Sequence, residues 1–168
     1  MKYTIIAILL IITMGCYINR VEAGNEMKSR ENLRLVSDES KKSAEALLVA
    51  IEQGSRDSIN QHMKELVTAG KIDLVASLLD DPSEAVKQEA ARSLAKQKTR
   101  KVATALLAAM SKLNVAVRGG DEAQILRAET KQTFREVLSS VIDSEIKEEW
   151  TEAETARHIE NALKKMRD

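Results

Sequence analysis

The sequence predicts an all-α fold, and three observations carry that expectation. Aromatic residues are almost absent, so a core has to be assembled from Ala, Leu, Val and Ile, which favours closely approaching helices over strands. Apolar residues recur at spacings of three and four in segment after segment, the period of a helix with one buried face. The segments are divided by isolated glycines, by Ser, Thr or Asp caps and by the sole proline, with short turns that imply antiparallel helical hairpins.

Taken in order, Gly24 to Val36 is polar with little periodicity and reads as a tether or a frayed first element. Ser37 or Asp38 starts a helix with Ala44, Leu47, Leu48 and Ile51 on one face, and Gly54 stops it. Ser55 to Ala69 repeats the pattern with Ile59, Met63, Leu66 and Val67 and ends at Gly70, and Ile72 to Leu79 is a short apolar helix. Asp81-Pro82-Ser83-Glu84 is the clearest boundary. Asp81 is placed to cap, Pro82 suits the first helical position, and Glu84 completes a capping box, so loss of the Asp81 cap should cost about 1 kcal/mol. The helix that follows bears Ala85, Val86, Ala90, Ala91 and Leu94.

From Thr99 the next helix carries Val102, Leu106, Met110 and Leu113, until Gly119-Gly120 breaks it. Asp121 with Gln124 opens a long helix whose apolar positions are Ile125, Leu126, Phe134, Val137, Leu138, Val141 and Ile142. Thr151-Glu152-Ala153-Glu154 is a second capping box, ahead of a terminal helix with Ile159, Leu163 and Met166.

The N-terminus carries a different signal. Lys2 precedes an apolar run from Ile5 to Met14, about ten residues, which as a helix reaches only about half of a ~30 Å hydrocarbon core. Such a run is read as an export signal rather than a span. Thr13-Met14-Gly15-Cys16 resembles a bacterial lipobox, with the small residue Gly15 before the cysteine, although Thr13 stands where leucine is usual and Met14 is bulky. That resemblance implies a signal peptide over residues 1–15, lipidation of Cys16 and a membrane-anchored lipoprotein facing the periplasm or cell surface. Val21-Glu22-Ala23 followed by Gly24 offers an ordinary cleavage site after Ala23, which would yield a secreted or periplasmic soluble chain. Cys16 is the only cysteine. An exported chain with one thiol has no internal disulfide partner, and lipidation would remove that exposed reactivity. Residues 16–36 then form a flexible tether and residues 37–168 the helical domain.

Sliding Asp80 to Gln97 back by 27 residues superposes Val86 on Ile59, Ala90 on Met63 and Leu94 on Val67, a period that argues for stacked hairpins. The stretch Asp73 to Gln97, with its Leu78-Leu79 pair, Asp81 in the turn, Val86 followed by Lys87, then Ala90-Ala91 and Leu94, resembles a HEAT-type repeat, including the shorter variety of bilin-lyase-like proteins. The resemblance implies a short HEAT-like solenoid in which Asp81 and Lys87 tie adjacent repeats together. It also implies a protein-binding scaffold, by analogy of fold alone.

Formal charge is balanced, 26 basic against 26 acidic residues, so no bulk field draws the chain to nucleic acid or anionic lipid. His62 and His158 each lie in a charged helical surface pattern without a companion at metal-ligand spacing, and no phosphate loop, zinc motif or nucleophile elbow is present. No enzyme activity, cofactor, metal or nucleic-acid partner is therefore expected. The basic run Lys96 to Lys101 is read as complementing a helix C-terminus. Trp150, in the acidic stretch Asp143 to Glu154, is read as packing before the Thr151 cap, with an exposed anchor as the sharper alternative.

The expected function is an envelope protein-interaction module, with Lys87, Arg92, Lys96 and Trp150 as binding contributors and an envelope protein as partner. Two alternatives stand beside it. One is a helical-repeat enzyme of the bilin-lyase-like type using His62, Glu84 or Glu89. The other is an envelope factor of a conjugative or phage element.

Overall fold

The computed structural model describes residues 30–36, 38–113, 120–147 and 149–166. The described residues form helices and connecting turns with no strand, so the protein is all-α. The helices are α1, described over residues 30–34, α2 (Asp38–Gln53), α3 (Arg56–Thr68), α4 (Ile72–Ser77) running into a 3₁₀ turn (Leu78–Asp80), α5 (Glu84–Leu94), α6 (Arg100–Lys112), α7 (Asp121–Ile142) and α8 (Glu152–Lys165). None of them is long and apolar enough to cross a membrane. The apolar run, Cys16, Ala23 and Gly119 lie outside the described residues.

Local chemistry sets the boundaries. Gly54 and Gly70 take positive φ, 66° and 76°, and in each case the glycine amide and the one after it bond back to the last helical turn. Gly54 N–H donates to Ile51 O and Ser55 N–H to Ala50 O, and Gly70 N–H donates to Val67 O and Lys71 N–H to Leu66 O. These are Schellman ends, which a side chain at the glycine would strain. Ser43 near the start of α2 donates to Glu65 near the end of α3, so the two run antiparallel across their two-residue turn. Thr99 caps α6 by accepting from Val102 N–H. Thr151 and Glu154 form the predicted reciprocal box at α8.

Three helices pack side by side in the order α3, α5, α7, and α2, α4 and α6 lie against them as their preceding partners. α5 is the hub. It touches α3, α4, the 3₁₀ turn and α7, and Val86, Gln88, Glu89, Ala90, Ala91, Ser93 and Leu94 are all buried. Ala90 and Ala91, both without exposed surface, give neighbours the clearance to come close on two adjoining sides, since consecutive residues are turned about 100° from each other. The superposed positions Ile59, Met63, Val86 and Ala90 are all buried and Val67 is partly so. The only phenylalanine, Phe134, is fully enclosed with Leu138 on α7.

Four expectations are corrected. The α5 cap is Ser83, whose hydroxyl accepts from Val86 N–H, rather than Asp81. The Asp81 carboxylate instead accepts from Ser83 N–H at 2.9 Å and from Arg30 at 3.1 and 3.2 Å, which delays the helix to Glu84. The far end of the expected tether is part of the fold, because residues 30–34 are helical and Leu33 is buried in the core. Ile125 and Leu126 are exposed. α7 has 22 residues against 11 in α5, about 33 Å against about 16 Å, so its first turns overhang the neighbour. The basic run, finally, does not simply close a helix: Arg100 and Lys101 open α6, the end whose dipole repels cations. Lys101 is neutralised there by Asp73, and Lys98 by Asp143.

Candidate functional site: a groove across α3, α5 and α7

The side-by-side packing of α3, α5 and α7 leaves an open groove of about 540 Å³ on one face. One wall is α7, where Ala128 and Glu129, Gln132 and Thr133, and Glu136 line the groove at the three- and four-residue spacing of a single helix face. The other wall is Gln88 and Arg92 of α5, one turn apart, with Arg56 reaching across from α3.

A polar network centred on two buried α5 side chains, Gln88 and Glu89, holds this lining. Glu89, whose side chain is 5% exposed, accepts from Asn60 and Arg92 and forms an ion pair with Arg56, at 2.5 Å to Arg92 and 3.3 Å to Arg56. Gln88 is equally buried. Its amide donates to Thr130 Oγ1 at 3.0 Å and its carbonyl accepts from Arg56. Thr130 in turn donates to Leu126 O. A buried carboxylate is tolerated only when paired and hydrogen-bonded, and here two guanidiniums and an amide meet that need. Arg56 and Arg92 keep about half of their side-chain surface exposed, 54% and 46%, so Glu89 anchors them while they face the groove. On the α7 wall Gln132 donates to Glu136 at 3.0 Å and accepts from Arg135.

A second, narrower cleft of about 360 Å³ lies behind α5, lined by Asp80, Asp81, Glu84, Lys87, Lys112 and Arg127 among others. Internal pairing accounts for most of its charge. Lys87 bonds Glu84 at 2.8 Å, Lys112 bonds Asp80 at 2.6 Å, Arg30 grips Asp81, and Arg127 donates to the carbonyls of Lys112 and Leu113 that end α6. A third depression is lined by α3 and Ala69 alone and lacks an opposing wall.

The expected binding residues are thus separated. Arg92 is in the groove, whereas Lys87 is a half-buried wall of the second cleft. Lys96 is exposed beyond the end of α5 and lines neither. Trp150 is partly buried against the core and meets the His158 ring edge-on, centroids 4.7 Å apart. Cys16 lies outside the described residues. His158, expected to be solvated, is half-buried and bonds Ser144 at 2.8 Å. His62 is also half-buried and contacts Glu65 at 2.9 Å. That contact, with hydrogen bonds from Gln61 and Ser43, holds the Glu65 carboxyl below the usual carboxylate range.

Sequence reasoning missed Arg56, Gln88 and Gln132. The usable signal was the alanine pair on α5: a helix with small residues on two sides is surrounded, and polar residues between them are then buried rather than solvated. No family model matches the chain, and neither a curated protein nor a solved structure matches it.

Proposed function

We propose that the protein is an exported, lipid-anchored interaction module of the bacterial envelope, built as a short HEAT-like stack of helix pairs that holds a partner on its α3–α5–α7 face. The observation that carries this reading is the groove itself: three helices distant in sequence supply one continuous open face. Its arginines are pre-positioned by a buried carboxylate rather than left to solvent. Pre-positioned arginine is the side chain most suited to recognition at protein surfaces, because less rotamer freedom is lost on contact. The anchor half of the proposal rests on Gly15-Cys16 behind the apolar run. Several acyl chains at about 0.8 kcal/mol per buried methylene would make attachment essentially permanent.

Metabolic labelling with palmitate tests the anchor. Label is expected in the parent and lost in Cys16→Ala, and label persisting in the variant would sink it. Pull-down of the full chain from detergent-solubilised envelope tests the module. A partner is expected that is lost when the groove is altered at Arg92, and repeated recovery of the chain alone counts against a scaffold.

A further inference from the structure

The groove has two walls of opposite charge. Arg56 and Arg92 stand on the α3 and α5 side and Glu129 and Glu136 on the α7 side. Their demands are unequally met from within. Each guanidinium carries five N–H donors. Arg92 spends one of them on Glu89, and Arg56 spends one on Gln88 while its Nε lies 3.3 Å from the Glu89 carboxylate as an ion pair. Glu129 makes no hydrogen bond or ion pair among the described residues, and Glu136 accepts from Gln132. Unspent donors on one wall therefore face unspent acceptors on the other.

The lining of α7 runs from residue 128 to residue 136, about 12 Å of helix axis, which an extended chain covers in about four residues. In an extended chain successive side chains point to opposite sides. A segment lying along this groove would therefore present alternate residues to the basic wall and the acidic wall. Building on the interaction reading above, we infer that the groove takes an extended segment of a partner protein in which acidic and basic residues alternate, carboxylates toward Arg56 and Arg92 and cations toward Glu129 and Glu136. Glu89 is a positioning residue: it aims the arginines and has no surface of its own to offer.

Two four-residue peptides, acetylated and amidated, separate pattern from composition: Glu-Lys-Glu-Lys and Glu-Glu-Lys-Lys. They are titrated into the full-length chain in detergent micelles, reading the arginine Nε–H signals by NMR. The alternating peptide is expected to bind about tenfold more tightly than the blocked one, the order of one charge-assisted hydrogen bond. Its binding should weaken with added salt. Arg92→Gln and, independently, Glu129→Gln should each remove that preference without changing the circular dichroism; the second alters an exposed side chain free of internal partners, so folding is not at issue. Equal binding of the two peptides, or no shift at Arg56 and Arg92, overturns the inference. A photo-crosslinker at position 132 in cells separates this failure from failure of the interaction reading. A crosslink mapped to an alternating segment supports both, one mapped to a segment without alternation rejects only the inference, and no crosslink to another protein rejects both.

Discussion

α5 and α8 are amphipathic helices of similar length, 11 and 14 residues, and they meet opposite fates. α5 buries seven side chains, two of them Gln88 and Glu89. Among the described side chains of α8 only Ile159 is enclosed, with Ala162 and Leu163 half-covered, as is Met166 just beyond its end. The helix with the plainer apolar stripe is the less buried one. What differs is the number of neighbours: α5 is packed on several sides, whereas α8 meets α7. Burial in this molecule follows position in the stack rather than pattern strength, and polar residues of the central helix become internal parts.

The contrast is broken most strongly at Leu94. It is fully buried on α5, and Leu94→Ala should cost about 3 kcal/mol from lost transfer energy plus the cavity left behind. Because every pair of helices leans on α5, the loss should appear as a lower midpoint of one cooperative urea transition, and a second transition would argue against a hub. Asp81→Asn comes next, at about 2 kcal/mol, since it removes the charge that Arg30 grips in a buried setting. Hydrogen exchange at residues 30–34 should accelerate with it, and unchanged protection of Leu33 would mean that Asp81 does not hold α1.

Ile159→Ala removes a side chain as large as that of Leu94, but its cost is bounded by the energy that docks α8, about 2 kcal/mol or less. Amides of α8 should lose protection while those of α5 keep theirs. Thr151→Ala should cost about 1 kcal/mol through the lost cap, again confined to α8. Equal deprotection of α5 in either variant would erase the distinction between the two regions.

The same contrast explains what could be read from sequence. Gly54, Gly70, Thr99 and the Thr151–Glu154 box mark helix ends correctly because each acts within three or four residues of itself. The Ser83 cap was hidden because Asp81 is claimed by Arg30, 51 residues away, a competition no local pattern contains. Glu89 resembled an ordinary solvated carboxylate until Arg56 and Asn60 of another helix closed over it. Arg92 and Lys87 were expected to share one surface, but Arg92 lines the groove and Lys87, five positions earlier, faces a different cleft. Helical period alone says which residues share a face, not which neighbour covers it.

Acid offers the mildest way to sharpen the difference. On α8 the Thr151 backbone N–H and hydroxyl donate to the Glu154 carboxylate, and Lys164 bonds Glu160, which holds both carboxyls below their usual range. A depressed native pKa means that the unfolded helix binds more protons. The stabilisation is therefore complete above the unfolded carboxylate value of about 4.3 and is lost as pH falls through the native values. Both groups are exposed, so the effect is small and screened by salt. Lowering the pH from about 6 to about 3 should fray the first turn of α8, seen as faster exchange at Thr155 and Ala156 after correction for intrinsic rates. Glu154→Gln keeps an acceptor for the Thr151 amide but removes the titration, so the pH dependence of that turn should flatten. An unaltered pH dependence in the variant would place the acid sensitivity of α8 elsewhere than in its cap.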